Sequence, residues 1–250
     1  SMFSDLGIAQ TFIKYVSSSL GKNKNSEAKA YALYLAKIKL TLLLIASIIL
    51  IVTASFISTT IYNKPIFLAL LSGALYILFI GLVGFGYSFF QASNNFKYLL
   101  YSEIFLQISR LIIIPILVIY SIKNFASQEI NSMIPILTLA ILWLIIFLIL
   151  VFIGRKQLNF LKSKTIELSK EKKKQVLKFI FSSSALSLSG LTFGFIDMFF
   201  LGAFVSSALI GNYRIAATLI GSLAPIMTFS NVLLPIFSRL SLERLERGLK

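Results

Sequence analysis

Glu103, Gln107 and Arg110 lie at i, i+4 and i+7 in an otherwise apolar run, a spacing that stacks all three on one helix face. A guanidinium forks onto phosphate or carboxylate through paired N–H donors, a carboxylate takes up or releases a proton, and an amide both donates and accepts. In hydrocarbon an ionisable side chain costs roughly 2.5–3.5 kcal/mol on insertion scales, so such a stripe must face protein or water. Two arrangements satisfy that demand. One is a cavity wall on which Arg110 and Gln107 hold an anion, with Glu103 free to exchange an ion. The other is a structural network in which Glu103, Gln107 and Arg110 tie helices together. Arg110 stands near the middle of its run, and Glu103 lies about 10 Å nearer one end at roughly 1.5 Å of rise per residue.

A second stripe runs through Ser183, Ser187, Gly190 and Gly194 to Asp197, mostly small or hydroxylic positions of the kind that pack closely in lipid. Arg214 opens a third, through Thr218, Gly221, Pro225 and Thr228. Asp197 and Arg214 stand at similar distances from the turn expected near Ser206, so they share a depth and can pair. Such a pair is either structural or part of a cavity in which Asp197 titrates. Lys14, close to the polar segment that begins at Gly21, either snorkels to that surface or lines the same cavity.

The chain has no cysteine and no histidine, which excludes disulfides, thiolate catalysis, Cys/His metal centres and imidazole proton relays. It also has no Gly-x-x-x-x-Gly-Lys-Ser/Thr loop, so ATP-driven pumping by this chain is not expected. No catalytic constellation emerges, and neither an enzymatic role nor a cofactor is expected.

The elements that carry these residues are membrane spans. Hydrophobic residues make up 57% of the chain and charged residues only 13%. Residues 40–63, 65–96, 130–154, 179–196 and 215–238 carry no charge at all, and each is about long enough to cross roughly 30 Å of hydrocarbon as a helix. Helices are therefore expected at about 1–20, 40–62, 65–91, 98–120, 132–154, 178–203 and 208–237: an all-α polytopic membrane protein with about seven spans. Gaps 21–39, 155–178 and 239–250 hold 5, 9 and 4 Lys/Arg, against only Lys123 in 121–131. Strict alternation puts every basic-rich gap on one side, the cytoplasmic one by the positive-inside rule. The net charge of +15 thus reads as topology and attraction to anionic inner-leaflet lipids, not nucleic-acid binding. Segment 155–177, where lysines alternate with Leu158, Leu161, Ile166 and Leu168, is expected to be a basic amphipathic helix lying on the inner surface. No gap is large enough for a soluble domain.

Several stretches have a familiar look: Asp5-Leu6-Gly7-Ile8-Ala9-Gln10-Thr11-Phe12-Ile13-Lys14-Tyr15-Val16, Phe195-Ile196-Asp197 with Leu201-Gly202, Ile210-Gly211-Asn212-Tyr213-Arg214-Ile215-Ala216-Ala217, and Leu233-Leu234-Pro235-Ile236-Phe237-Ser238. In order and spacing the chain resembles Wzx-type polysaccharide flippases of the multidrug/oligosaccharidyl-lipid/polysaccharide transporter superfamily. The resemblance implies two six-helix lobes related by a parallel repeat, with a cavity between them. Residues 1–154 would be most of the first lobe (helices two to six), 155–177 the connector and 178–250 the start of the second (helices seven and eight). The chain is accordingly expected to be a piece of a longer protein. The implied activity is flipping of a polyprenyl-pyrophosphate-linked oligosaccharide across the cytoplasmic membrane by alternating access, beside glycan polymerase or ligase membrane proteins. Basic groups would hold the pyrophosphate, and Arg214 after Gly211-x-Tyr213 is the best match to that role. The rival readings are a multidrug or cation antiporter of the same superfamily, which would place acids in its cavity, and a non-transporting scaffold of a glycan-assembly complex.

Orientation is directly testable, because the chain contains no native cysteine. Ser26→Cys and Ser169→Cys should resist an impermeant thiol reagent in intact cells and react once the membrane is opened. Labelling of either in intact cells would overturn the charge argument.

Overall fold

Asparagine marks the turns of this chain. Asn23, Asn63 and Asn94 have φ of 57°, 46° and 58°, the left-handed region that a short polar side chain tolerates better than most. At Asn23 the N–H bonds Leu20 O and that of Lys24 bonds Ser19 O; Asn94 and Asn95 repeat the pattern on Gln91 and Phe90. Each is a Schellman closure, which caps a helix and reverses the chain within a few residues.

The structure is a computed structural model describing residues 7–227, with side chains described for all of these except 186–195, 197–198, 203 and 221–227. Its helices are α1 (Ile8–Gly21), α2 (Asn25–Phe56, prolonged by a π turn over Ile57–Ile61), α3 (Phe67–Ala92), α4 (Lys97–Asn124), α5 (Gln128–Gln157), α6 (Lys170–Phe204) and α7 (Ser207–Met227). No strand occurs among the described residues. Four segments there, Asn25–Ile61, Phe67–Ala92, Lys97–Asn124 and Gln128–Gln157, are long and apolar enough to cross a membrane. The protein is an all-α, multi-pass membrane protein. It divides into a larger unit up to Phe195 and a smaller one from Ile196.

Within the larger unit α3 is the central helix. It packs on α1, α2, α4 and α5. Pairs 73–50 and 81–43 show α2 running antiparallel to it, whereas 86–150 and 90–154 show α5 running parallel. Small and hydroxylic residues permit these contacts: Ser47 on α2 donates a buried hydrogen bond to Ala74 O at 3.1 Å. Phe12 of α1 meets Phe85 edge-on at 5.1 Å and Phe89 at 4.4 Å, closing the core near one end. That end is the basic one. Gly21, Asn25, Asn94, Gln157 and Phe160 line one cleft there, so the gaps after α1, α3 and α5 lie on the same side of the unit.

Two expectations need correction. The basic segment 21–39 is not a linker, because α2 begins at Asn25. Its alanines favour helix and bury Ala28, Ala30, Ala32 and Leu35. At 1.5 Å per residue the 37 residues of Asn25–Ile61 extend for about 55 Å, against a hydrocarbon core of roughly 30 Å. The charged first third therefore projects beyond the membrane. Segment 155–177 is likewise not a surface amphipathic helix. α5 ends at Gln157, a 3-10 turn spans Asn159–Lys162, and irregular chain leads to α6 at Lys170. Leu158, Phe160 and Leu168 are buried while Ile166 is exposed, so most of its apolar residues plug the bundle and do not float on lipid.

Gly81 permits the closest α2–α3 approach: a Cβ there would stand 2.2 Å from Leu43 Cδ2 and 3.2 Å from its Cγ. Leu43 is fully buried, so its side chain would have to shift within the packed core. Gly81→Ala is expected to destabilise the detergent-purified protein by about 1–3 kcal/mol. Gly84→Ala, one turn on with nothing within 4 Å, should be neutral or slightly stabilising. In thermal melts Leu43→Ala should cost less in the Gly81→Ala background than alone; additivity would refute the clash.

Candidate functional site

The last turn of α1, the turn after it and the first turns of α2 form a polar recess of about 200 Å³ lined by Tyr15, Ser18, Ser19, Lys22, Lys24, Glu27 and Tyr31. The triple serine of α1 leads here into Gly21-Lys22-Asn23-Lys24, and the Schellman turn folds both lysines back over the helix end. Tyr15 and Tyr31 lie against each other at 5.2 Å. Lys14 stands beside them, with its ammonium 3.7 Å from the ring centroid of Phe179 on α6 and 5.6 Å from that of Tyr15. A cation over an aromatic face is stabilised without consuming its hydrogen-bond donors.

Glu27 is the acid in this group, and it is engaged. Lys172 Nζ donates to Glu27 Oε1 at 2.6 Å. That hydrogen bond, more than the lysine's charge, holds the Glu27 carboxyl below its ordinary range and raises Lys172 above its own. Nearby, Lys29 Nζ donates to Ser163 O at 2.8 Å, fastening the connector onto α2. The Tyr31 phenol is also engaged by Glu27, so the recess presents the ammonium groups of Lys22 and Lys24, serine hydroxyls and the Tyr15 phenol beside a neutralised carboxylate. Such a donor set is complementary to an oxyanion.

Of the residues the sequence points to, Lys14 stands next to this site, over Phe179 and against Tyr15, but does not line the recess. Those on α4 are not part of it. Ser102, Leu106 and Ser109 take the bundle-facing side, and Ser102 Oγ meets Tyr87 Oη at 3.0 Å. Rotated one position around the helix, Gln107 and Arg110 are exposed and Glu103 is half-buried. No ion pair joins Glu103 to Arg110 among the described residues. Seven residues of rise hold the two about 10 Å apart along the axis, too far for contact on a straight helix. Arg214, on α7 in the smaller unit, is exposed. The Asp197 side chain lies outside the described residues, and with it the Asp197–Arg214 pair.

Sequence reading assigned Lys22, Lys24, Lys29 and Lys172 to topology alone and passed over Glu27 and Tyr31. The available signal was the serine run ending in a glycine turn between lysines. It also passed over Lys39, which is only 2% exposed.

Acidification through the lowered pKa of Glu27 should protonate it and release Lys172, so the contribution of this contact, present above the ordinary carboxyl range, is lost on the acid side. For Lys172 the sign is opposite: its contribution is lost as pH rises through its raised pKa. Lys172→Gln should therefore flatten the acid limb of the melting temperature by an amount within the roughly 0–1 kcal/mol of a solvated pair. An unchanged acid limb would refute the assignment.

Neither a curated protein nor a solved structure matches the chain. A family model does, described as polysaccharide biosynthesis protein and matching residues 1–241. That match takes in the recess, the connector and the seven helices of the described residues, and on it the chain belongs to the polysaccharide biosynthesis protein family.

Proposed function

We propose that the intact protein is a flippase that carries a polyprenyl-pyrophosphate-linked oligosaccharide across the cytoplasmic membrane by alternating access, as the resemblance to Wzx-type transporters implies. It moves its substrate without altering it. The observation that carries this reading is the recess at the basic end, where Lys22 and Lys24 stand with tyrosine and serine hydroxyls, Lys14 lies beside it over Phe179, and Lys172 neutralises Glu27. A lipid-linked pyrophosphate travels in a leaflet with its phosphates at the headgroup level, and a cluster of donors beside a span end meets it there. With the basic gaps on the cytoplasmic side, this is the face from which such a substrate is loaded. Arg110, exposed on α4, is a second positive group for the same anion in transit, with Gln107 beside it. Coupling to an ion is assigned to Asp197 or Glu103. A multidrug or cation antiporter would need acids where this recess offers lysines.

Complementation of a glycan-export defect by the intact protein tests the class, and restored drug resistance without glycan export would select the antiporter. Lys14→Gln, and Lys22→Gln with Lys24→Gln, should each lower export about tenfold at unchanged membrane abundance, the loss expected on removing a charge-assisted contact. Arg110→Gln should do likewise. Full export by all three variants would sink the assignment of these residues.

A further inference from the structure

A different surface of the same unit carries an unassigned groove. It lies between α2, α3 and α5 at the basic end, has a volume of about 280 Å³ and shares no residue with the Lys14 recess. Phe85 and Phe89 of α3, Leu150 of α5 and Leu158 of the connector make its walls almost wholly apolar. Lys39 lines it from α2 and Arg155 from the end of α5.

The charges in it sit at a defined depth. Lys39 is the last charged residue before the uncharged run 40–63, and Arg155 the first after the uncharged run 130–154. α2 leaves the basic end where α5 arrives, so both stand at the boundary between hydrocarbon and headgroups. Arg155 is exposed at the mouth, with no ion-pair partner among the described residues, whereas Lys39 is only 2% exposed and offers no charge to the opening. Beyond them the rim is formed by Leu40 and Val151, which are 45% and 36% exposed on the flank of the bundle. The groove opens sideways into the bilayer, with apolar walls below the headgroup plane and positive charge at it.

We propose that this groove binds one anionic glycerophospholipid of the basic-end leaflet, its phosphate on Arg155 and part of one acyl chain along Phe85, Phe89 and Leu150. The charge selects the headgroup: a guanidinium forks onto a phosphodiester, and basic pockets between spans favour anionic over zwitterionic lipid. The volume, just below the range of small-ligand pockets, accommodates a segment of chain and not a whole lipid. The lipid would act as a wedge that holds the connector, through Leu158 and Leu161, against α2 and α5.

The intact protein, reconstituted in nanodiscs of equal phosphatidylglycerol and phosphatidylcholine, can be released into a mass spectrometer and its retained lipid counted. One phosphatidylglycerol per chain should be retained in preference. Arg155→Gln should lower that occupancy about tenfold. Val151→Trp, which fills the mouth from a lipid-exposed position, should lower it with Arg155 intact and decides the matter if Arg155→Gln does not yield folded protein. Lys170→Gln, an exposed lysine of the same end outside the groove, should leave it unchanged. Equal retention of the two lipids would overturn the proposal, as would the same loss in Lys170→Gln. Protection of the detergent-purified protein by inorganic phosphate as strong as that by phosphatidylglycerol would also overturn it, making this a phosphate site. Glycan export by Lys14→Gln does not bear on these outcomes, so the groove and the flippase reading stand or fall separately.

Discussion

Hydrocarbon solvates no charge and no open backbone group, and every feature of this protein follows from that. Backbone groups are satisfied within helices, so the chain is helical wherever it crosses. Charges are concentrated toward helix ends, Glu103 and Arg110 on α4 and Arg214 on α7 excepted, so Lys39 before run 40–63 and Arg155 after run 130–154 mark the membrane surface. Lys39 and Arg155 meet at that mark from opposite chain directions. The Schellman turns at Asn23 and Asn94 hold neighbouring helices in short antiparallel connections, and the charge collected at one end becomes a surface able to bind.

Because lipid tails are as apolar as leucine, burial alone does not drive these helices together, and close fit takes over. α3 shows this. Gly81 admits Leu43, Gly86 lies against Leu150, and Ala74 O accepts from Ser47. The same helix carries Phe85 and Phe89, which grip Phe12 of α1 and also wall the groove. One rigid element thereby positions both basic-end surfaces: α1, which bears Lys14, leans on it from one side, and α5, which bears Arg155, packs along another.

The spans were legible because composition alone marks a segment that must live in lipid. Their ends were less so. Residues 21–39 carry five basic residues and read as a gap, yet alanine propensity and burial of Leu35 continue the helix through them. Residues 155–177 alternate basic and apolar, a pattern that suits a surface helix, but Leu158, Phe160 and Leu168 find a better solvent in the bundle interior. On α4 the polar stripe was visible and its neighbour was not. Ser102, Leu106 and Ser109 share the i, i+4, i+7 spacing of Glu103, Gln107 and Arg110, and periodicity cannot say which set faces protein. Small hydroxylic residues allow close approach, and they took the inside. Lys39 was hidden for a related reason: a lysine beside four others looks like topology until the fold buries it.

The two basic-end surfaces divide one electrostatic resource by shape. At the recess, hydroxyls, phenols and ammonium groups converge, and Phe179 supports Lys14 from behind. Such a site suits a highly charged, hydrated group that must be held and then released, because many moderate contacts can be surrendered one at a time. At the groove, one guanidinium stands over apolar walls, which suits a singly charged headgroup whose chain stays buried. A pyrophosphate-linked sugar is too polar for the second, and a phospholipid has too little charge to need the first. Lys29 on Ser163 ties the connector, and Lys172 on Glu27 ties the start of α6, to the first turns of α2. A change of state that moves α6 must break or carry the Glu27–Lys172 contact, which makes that contact the physical link between the start of α2 and the start of α6.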